Sequence, residues 1–402
     1  MSLRIRLSIM MLLEYMVWGA WYPDFSAYMG KSLNFSDSQV GSIYALLPIG
    51  CMIAPFLTGQ IADRWFPTDK LLAVLHLLGA IPLWVTAGAN SYEQVWAWMF
   101  ASALLFAPTL ALTNSICFHH LPQAESDFGL VRVWGTIGHI AVGLLLGKLL
   151  RKYMPEALSP LGGFDGLWLA CGLSILLGLY CLSLPNTPPA RKSESPLAFL
   201  AALKLLRNRE FAVFLGIGFV VATELMFYFV LTGPFLYKLG IEAGSAPSWM
   251  AIAQGAEIVT MIALPWMLKN WGIRGTMMVG ILAWPIRYAI FALGGPLWLI
   301  LGSLTLHGLC YVCFFTAAYI YVDQIAPPDI RASAQGLIAF VLLGAGLVVG
   351  SWFAGFISDT FSIVAADGAR SVDYSKVFLV PLVLTIVCAL LFMAFFRPKR
   401  TA

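Results

Sequence analysis

Apolar residues run along this chain in long stretches separated by short polar turns. A helix needs about 20 mostly apolar residues to cross a bilayer. Twelve such runs occur, at about 7–29, 40–61, 71–89, 95–118, 131–150, 164–184, 211–237, 247–268, 273–293, 296–322, 334–357 and 377–396. Ser36-Asp37-Ser38-Gln39 has the form of a capping box opening the second run, because a hydroxyl and an amide three residues apart can satisfy orphan backbone N–H groups. The remaining segments are short, so no extramembrane domain is expected. One longer polar stretch, 185–210, begins Pro185-Asn-Thr-Pro-Pro and carries Arg191, Lys192, Lys204, Arg207 and Arg209. The pattern predicts an all-α polytopic membrane protein with twelve transmembrane helices in two six-helix halves. The halves are 1–184 and 211–402, with 185–210 as a cytoplasmic linker.

Composition sharpens this reading. The 402 residues are 60% hydrophobic and 11% charged, with a mean hydropathy of +0.83, whereas soluble domains run at about 45–50% apolar and about 25% charged. A water-soluble enzyme and a disordered chain are both excluded. The net charge of +4 is small, and the basic residues cluster between apolar runs. That suits orientation in a bilayer and not binding to nucleic acid. With both termini cytoplasmic, fifteen Lys/Arg fall inside and seven outside, which favours that orientation. Lys148, Arg151 and Lys152 dissent. The first run is too long for a cleavable signal and carries Glu14 and Asp24. All seven cysteines lie in apolar stretches, Cys310 and Cys313 among aromatic residues, so packing is expected of them and not a metal or redox role.

A faint repeat links the halves. Ile53-Ala54 recurs as Ile262-Ala263, Trp65 as Trp271, Pro122 as Pro328, and Gly129-Leu130 as Gly336-Leu337, at offsets of 206–209. Duplicated six-helix halves are the layout of secondary transporters, whose site lies at the repeat interface.

Ionisable residues inside spans cost about 2.5–3.5 kcal/mol each on insertion scales, so each needs a reason. Arg132, Thr136 and His139 are spaced i, i+4, i+7, placing a cation, a hydroxyl and an imidazole on one helical stripe. The alternative is that Arg132 snorkels to the interface. Gln254 and Glu257 share a face. An amide with a carboxylate can read hydroxyl and carbonyl groups, and the carboxylate can carry a proton. Glu257 is the expected coupling acid, with a structural ion pair to Arg132 or Arg287 as the alternative. Glu224 and Glu14 are the other candidates for the proton. Glu14 shares a stripe with Trp18 and Trp21, while Glu224 reads equally as a proton site or a buried pair. His307, Tyr311 and Phe314 share a face that either packs or stacks on a planar ligand. His76 and Arg287 read as structural. The five histidines form no clustered boxes and there is no G-x-S-x-G elbow, which argues against a membrane-embedded enzyme.

Several motifs carry a resemblance. Gly59-Gln-Ile-Ala-Asp63-Arg64, between the second and third runs, resembles the conformational G-x-x-x-D-R/K motif of the major facilitator superfamily. Trp18-Gly-Ala-Trp21, Arg132-Val-Trp-Gly-Thr136-Ile-Gly138, Gln254-Gly-Ala-Glu257 and Ile330-Arg-Ala-Ser-Ala-Gln-Gly336 together resemble the bacterial nucleoside–proton symporters, in order and along the whole chain. The resemblance implies alternating-access import of a nucleoside coupled to a proton, with no other cofactor. It implies a multi-pass protein of the bacterial inner membrane whose partners are a small solute and the lipid bilayer. A monomer is expected. It also implies that Arg132, Thr136, Gln254 and Glu257 line the nucleoside site. Other positions depart from the family. Met226 and Phe229 stand where it has polar amides, Val312 where it has an acid, and His139 where it has an aromatic ring. The sugar-reading part is therefore expected to be retained and the base-reading part altered. Another polar solute, such as a sugar, or a non-transporting sensor are the alternatives.

Overall fold

The computed structural model describes residues 2–54, 66–121, 124–153, 163–188, 198–242, 244–327, 330–364 and 370–397. Every predicted run is helical over much of its described part. Among the described residues, eight helices are long and apolar enough to cross a membrane: Thr68–Ala87, Tyr92–His120, Phe128–Leu150, Arg209–Lys238, Ala246–Leu293, Leu297–Ile325, Ser333–Thr360 and Tyr374–Phe395. The 48-residue Ala246–Leu293 is two predicted runs joined at Gly272, whose φ of 65° and ψ of 176° break the helix. That left-handed φ is open to glycine at little cost. Among the described residues, Asp165–Cys181 is a shorter apolar helix of 17 residues, and Leu3–Gly19 has the same length.

Three details depart from the sequence reading. The first run is not one helix but Leu3–Gly19 and Phe25–Ser32, parted by a turn. Pro23 within that turn has no N–H with which to continue the ladder. The second run is Asp37–Tyr44 followed by Leu46–Ala54, broken where Pro48 deprives the carbonyl of Tyr44 of its donor. A small antiparallel hairpin, Ser362–Val364 with Arg370–Val372, was not expected in an all-α chain; its Ile363, Val364 and Val372 are β-branched and suit paired strands. The capping box is formed, with Ser36 and Gln39 exchanging side-chain-to-backbone hydrogen bonds of 2.9 and 3.2 Å. The Gly59-Asp63-Arg64 motif and the repeat positions Trp65, Pro122 and Pro328 lie outside the described residues.

The chain divides into two compact units. The first is Met1–Phe35, Ser42–Pro196 and Leu236–Ala251; the second is Ser36–Gly41, Leu197–Phe235 and Ile252–Ala402. Two short segments thus group with the unit opposite in sequence. Within the second unit, the Asp359 carboxylate accepts from the backbone N–H groups of Asp37 and Ser38 at 2.9 and 2.8 Å, a cap on the start of Asp37–Tyr44. Within the first unit, Arg151 donates to Asp24, Asp165 and the Gly244 carbonyl at 2.5–2.7 Å. Burial alone would lower the Arg151 pKa, but hydrogen bonds and charges from Asp165 and Asp24 raise it above the ordinary arginine range. A cation paired this way carries little free positive charge. The start of the linker is tied down as well. Thr187 accepts from Thr68 N–H at 2.8 Å and donates its own N–H to Asp69 at 2.9 Å.

The first unit is assembled by close backbone approach. Leu3–Gly19 packs on Ala124–Leu144 so tightly that a Cβ on Gly138 would sit 2.2 Å from the Leu12 carbonyl oxygen. Small residues permit such crossings where lipid supplies no hydrophobic drive between helices. Gly138→Ala is expected to cost about 1–3 kcal/mol through overpacking, read as a lower thermal midpoint of the purified protein. An unchanged midpoint would show that the crossing relaxes freely.

Candidate functional site

The predicted residues fall into two groups, one in each unit. In the first unit, Arg132, Thr136 and His139 are half-buried along one stripe of Ala124–Leu144. The Arg132 guanidinium lies over the Tyr15 ring at 4.1 Å. A Cβ on Gly135 would come within 2.9 Å of that guanidinium and 2.7 Å of the Tyr15 ring, so glycine is needed there for the stacking. His139 meets Trp18 edge-on at 6.1 Å, and Trp18 continues to Tyr15 and Tyr22 at 6.0 and 5.5 Å. The Arg132 guanidinium is therefore held against a ring of its own unit. A cation, a hydroxyl and an imidazole framed by aromatic faces suit a planar, hydroxyl-bearing solute.

Glu14, which shares a stripe with Trp18 in the sequence, turns to other partners. It is fully buried in a four-helix network, its carboxylate 2.8 Å from His76 Nε2 and 2.5 Å from the Thr109 hydroxyl. The Ser174 hydroxyl donates to the His76 carbonyl at 2.9 Å. Its oxygen is therefore free to accept from His76 Nδ1, 3.2 Å away. This directionality places a proton on Nδ1. The structural reading of His76 is realised, with Glu14 as its partner.

In the second unit, Gln254 and Glu257 are half-buried on adjoining turns of one helix. Glu257 is close enough to Tyr228 for their charges to interact. A Cβ on Gly308 would lie 2.4 Å from the Ala256 carbonyl oxygen, so the helix bearing His307 touches the one bearing Glu257 at backbone level. His307 does not offer a free ring face. It is 1% exposed and stacked against Tyr228 at 4.7 Å and Tyr311 at 5.9 Å, with Phe229 edge-on at 5.9 Å. The protein's own rings thus occupy the stacking role expected for a ligand there. Tyr311 is half-buried and opens a wide helical turn, Tyr311–Thr316, a feature that often marks functional positions. Met226 and Val312, at the family's polar positions, are fully buried.

Sequence reasoning placed too little weight on Arg287. It is fully buried, one nitrogen 3.3 Å from His307 Nδ1 and its guanidinium 4.5 Å from the rings of both Tyr228 and Trp284. Its position near mid-span was the available signal. Glu224 is also fully buried, and neither carboxyl oxygen has a hydrogen-bonding partner. Among the described residues, no group of three His, Cys, Asp or Glu is placed to hold a metal ion.

The contrast between Glu14 and Glu224 is testable. His76→Ala strands the Glu14 charge and is expected to destabilise the protein by about 3–5 kcal/mol, whereas His76→Gln, which keeps a polar neighbour, loses less. Thermal unfolding in one detergent compares them. Equal midpoints for both variants and the parent would remove the network from the account of stability.

The family model described as nucleoside H+ symporter matches residues 1–401. The chain is 32% identical over 400 residues to the xanthosine permease of Escherichia coli (strain K12), spanning 94% of this chain and 92% of the relative. It is 29% identical over 424 residues to the nucleoside permease NupG of the same organism, spanning 100% and 97%. The crystal structure of the nucleoside transporter NupG superposes with a TM-score of 0.85 at 28% identity, covering 99% of this chain and 100% of that one. A family match along almost the whole length, carried by a multi-pass helical fold of the same kind, means that the chain belongs to the nucleoside H+ symporter family.

Proposed function

We propose that the chain imports nucleosides together with protons across the bacterial inner membrane. Alternating access would operate between bundles 1–184 and 211–402, joined by 185–210 on the cytoplasmic side, with both termini cytoplasmic and the single chain as the working unit. The observation that carries this reading is the Arg132–Thr136 stripe, stacked on Tyr15, in a chain of this family that also keeps the Gln254–Glu257 pair. Arg132 and Thr136 address the hydroxyl groups of the sugar. Gln254 supplies an amide donor and acceptor, and Glu257 on the same face carries the coupled proton, so occupancy by solute and by proton are linked. Glu14 is a weaker candidate for that proton because its carboxylate is already engaged by His76 and Thr109.

A second reading, symport of a different polar solute such as a sugar, is favoured by Met226 and Val312. Their fully buried apolar side chains offer nothing with which to read a base edge. A thermal-shift screen of the purified protein against nucleosides, nucleobases and sugars separates the readings, since a specific ligand stabilises the folded state by mass action.

Two substitutions test the assignment in proteoliposomes. Arg132→Lys keeps the charge but loses the planar fork of donors. Losing one charge-assisted hydrogen bond, worth about 1.5–3 kcal/mol, lowers uptake about tenfold or more, with normal membrane insertion. Uptake at the parent level would return Arg132 to a packing role. Glu257→Gln keeps size and hydrogen bonding but cannot titrate. It is expected to bind and exchange solute yet fail to concentrate it when a pH gradient is imposed. Accumulation by Glu257→Gln would move coupling elsewhere.

A further inference from the structure

The interior of the second unit holds a concentration of unsatisfied polar atoms that the proposed solute site does not use. Eleven buried side-chain nitrogen and oxygen atoms lack a hydrogen-bonding partner among the described residues, and seven of them lie together. They are both carboxyl oxygens of Glu224, the Tyr228 hydroxyl, the Thr232 hydroxyl, the Trp284 indole nitrogen, and Nε and Nη2 of Arg287. Glu224, Tyr228 and Thr232 are spaced i, i+4, i+8 on Arg209–Lys238, so they form one stripe. Thr232 does not turn its hydroxyl back to the preceding turn, as Thr223 of the same helix does at 3.0 Å. Arg287 faces this stripe, 4.5 Å from the Tyr228 ring, and the Tyr288 hydroxyl donates to the Glu224 carbonyl. Every residue of the group is buried, and Glu224, Tyr228, Thr232 and Arg287 have no measurable exposure.

An acid and an arginine buried in one cluster would ordinarily form an ion pair, because each is costly to bury alone. Here they do not. Arginine cannot give up its charge, and it is accommodated by the faces of Tyr228 and Trp284 and by His307 Nδ1. The acid has no such support, and a carboxylate without donors is strongly disfavoured in an apolar surround, so the neutral acid is the form that suits this geometry. Seven unsatisfied donors and acceptors also make the interior polar enough to hold bound water. Around Glu224 stand Tyr228 on its own stripe with Arg287 against that ring, Tyr288 on its backbone carbonyl, and Cys388 of the last helix, close enough to sense its charge. Behind Arg287 stand His307 and Cys310. On the other side Tyr228 reaches the charge of Glu257.

We propose that Glu224 is a second proton-binding carboxyl of this transporter, exchanging its proton through bound water inside the second unit, with Arg287 as its fixed counter-charge. The inference rests on the proton-coupled reading above and extends it inward from Glu257. On release, the O–H bond of Glu224 breaks, the proton passes to water, and the electron pair stays on the carboxylate. The charge of the Glu224–Arg287 pair falls from +1 to 0. In the loaded state Arg287 stays on its rings; in the unloaded state the carboxylate draws on its free Nε and Nη2. Tyr228 lies between Glu224 and Glu257 and couples the two acids.

Infrared spectroscopy of the purified protein tests this without any transport. One component of the carbonyl stretch of buried, protonated carboxylic acids, present in the parent and in Glu257→Gln, is expected to be absent in Glu224→Gln. Because glutamine resembles the neutral acid in shape, Glu224→Gln is expected to keep the parent's thermal midpoint; a preformed ion pair would instead leave Arg287 stranded and lower it. In proteoliposomes, Glu224→Gln should still exchange nucleoside but accumulate it about tenfold less under a pH gradient. An unchanged carbonyl band in Glu224→Gln, or a clear loss of thermal stability, overturns the proposal. If the parent transports no nucleoside while the band disappears as expected, the substrate reading fails and the proton site stands.

Discussion

Hydrocarbon offers no hydrogen bonds, and that single constraint governs how this chain is put together. Each backbone N–H and C=O inside a bilayer needs a partner within the protein, so the apolar runs fold as helices and polar side chains must find partners or a purpose. Threonines show the first solution. Thr86 and Thr385 turn their hydroxyls back to the carbonyls of Pro82 and Pro381 at 2.7 Å, inside their own helices. Irregular backbone is confined to places where another group takes it up. Asp359 supplies acceptors to the first amides of Asp37–Tyr44, and Arg151 takes the carbonyl of Gly244.

The same constraint removes the usual reason for helices to pack, since lipid tails are as apolar as leucine. Shape then decides. Gly138 against Leu12 in the first unit, and Gly308 against Ala256 and Gly350 against Thr223 in the second, bring backbones so close that a methyl group would collide with a carbonyl oxygen. These contacts also set the functional side chains. Gly138 lies one residue from His139, and Gly308 lies one residue from His307.

Buried acids show how differently one residue type is treated. Glu14 is engaged by His76 and Thr109 from two other helices, and His76 is held in turn by Ser174 from a third. Such a network defines one arrangement and resists change. Glu224 has no donors and faces an arginine that stands apart from it. An acid left unsatisfied in a folded core is more readily explained by a task than by stability. Glu257, half-buried and beside Gln254, has the partial access that exchange with a solute requires.

The sequence by itself determined the twelve apolar runs, the capping box at Ser36 and Gln39, and the stripe of Arg132, Thr136 and His139. Each rests on local physics: hydropathy over one span, a three-residue spacing, and a 3.6-residue period. The motifs around Arg132 and Gln254 also carried the family. Partners were not legible, because they come from distant helices. Glu14 and Trp18 share a stripe in sequence, yet Glu14 turns to His76 and Thr109 while Trp18 meets His139. His307 looked available for stacking until Tyr228, about five helical turns beyond the start of a different helix, filled its face. The breaks before Pro23 and Pro48 and the hairpin at Ser362–Val364 turned on which backbone groups lost or found a partner. Only the tertiary structure decided which buried charges are satisfied, because satisfaction is a property of pairs and a one-dimensional pattern records single residues.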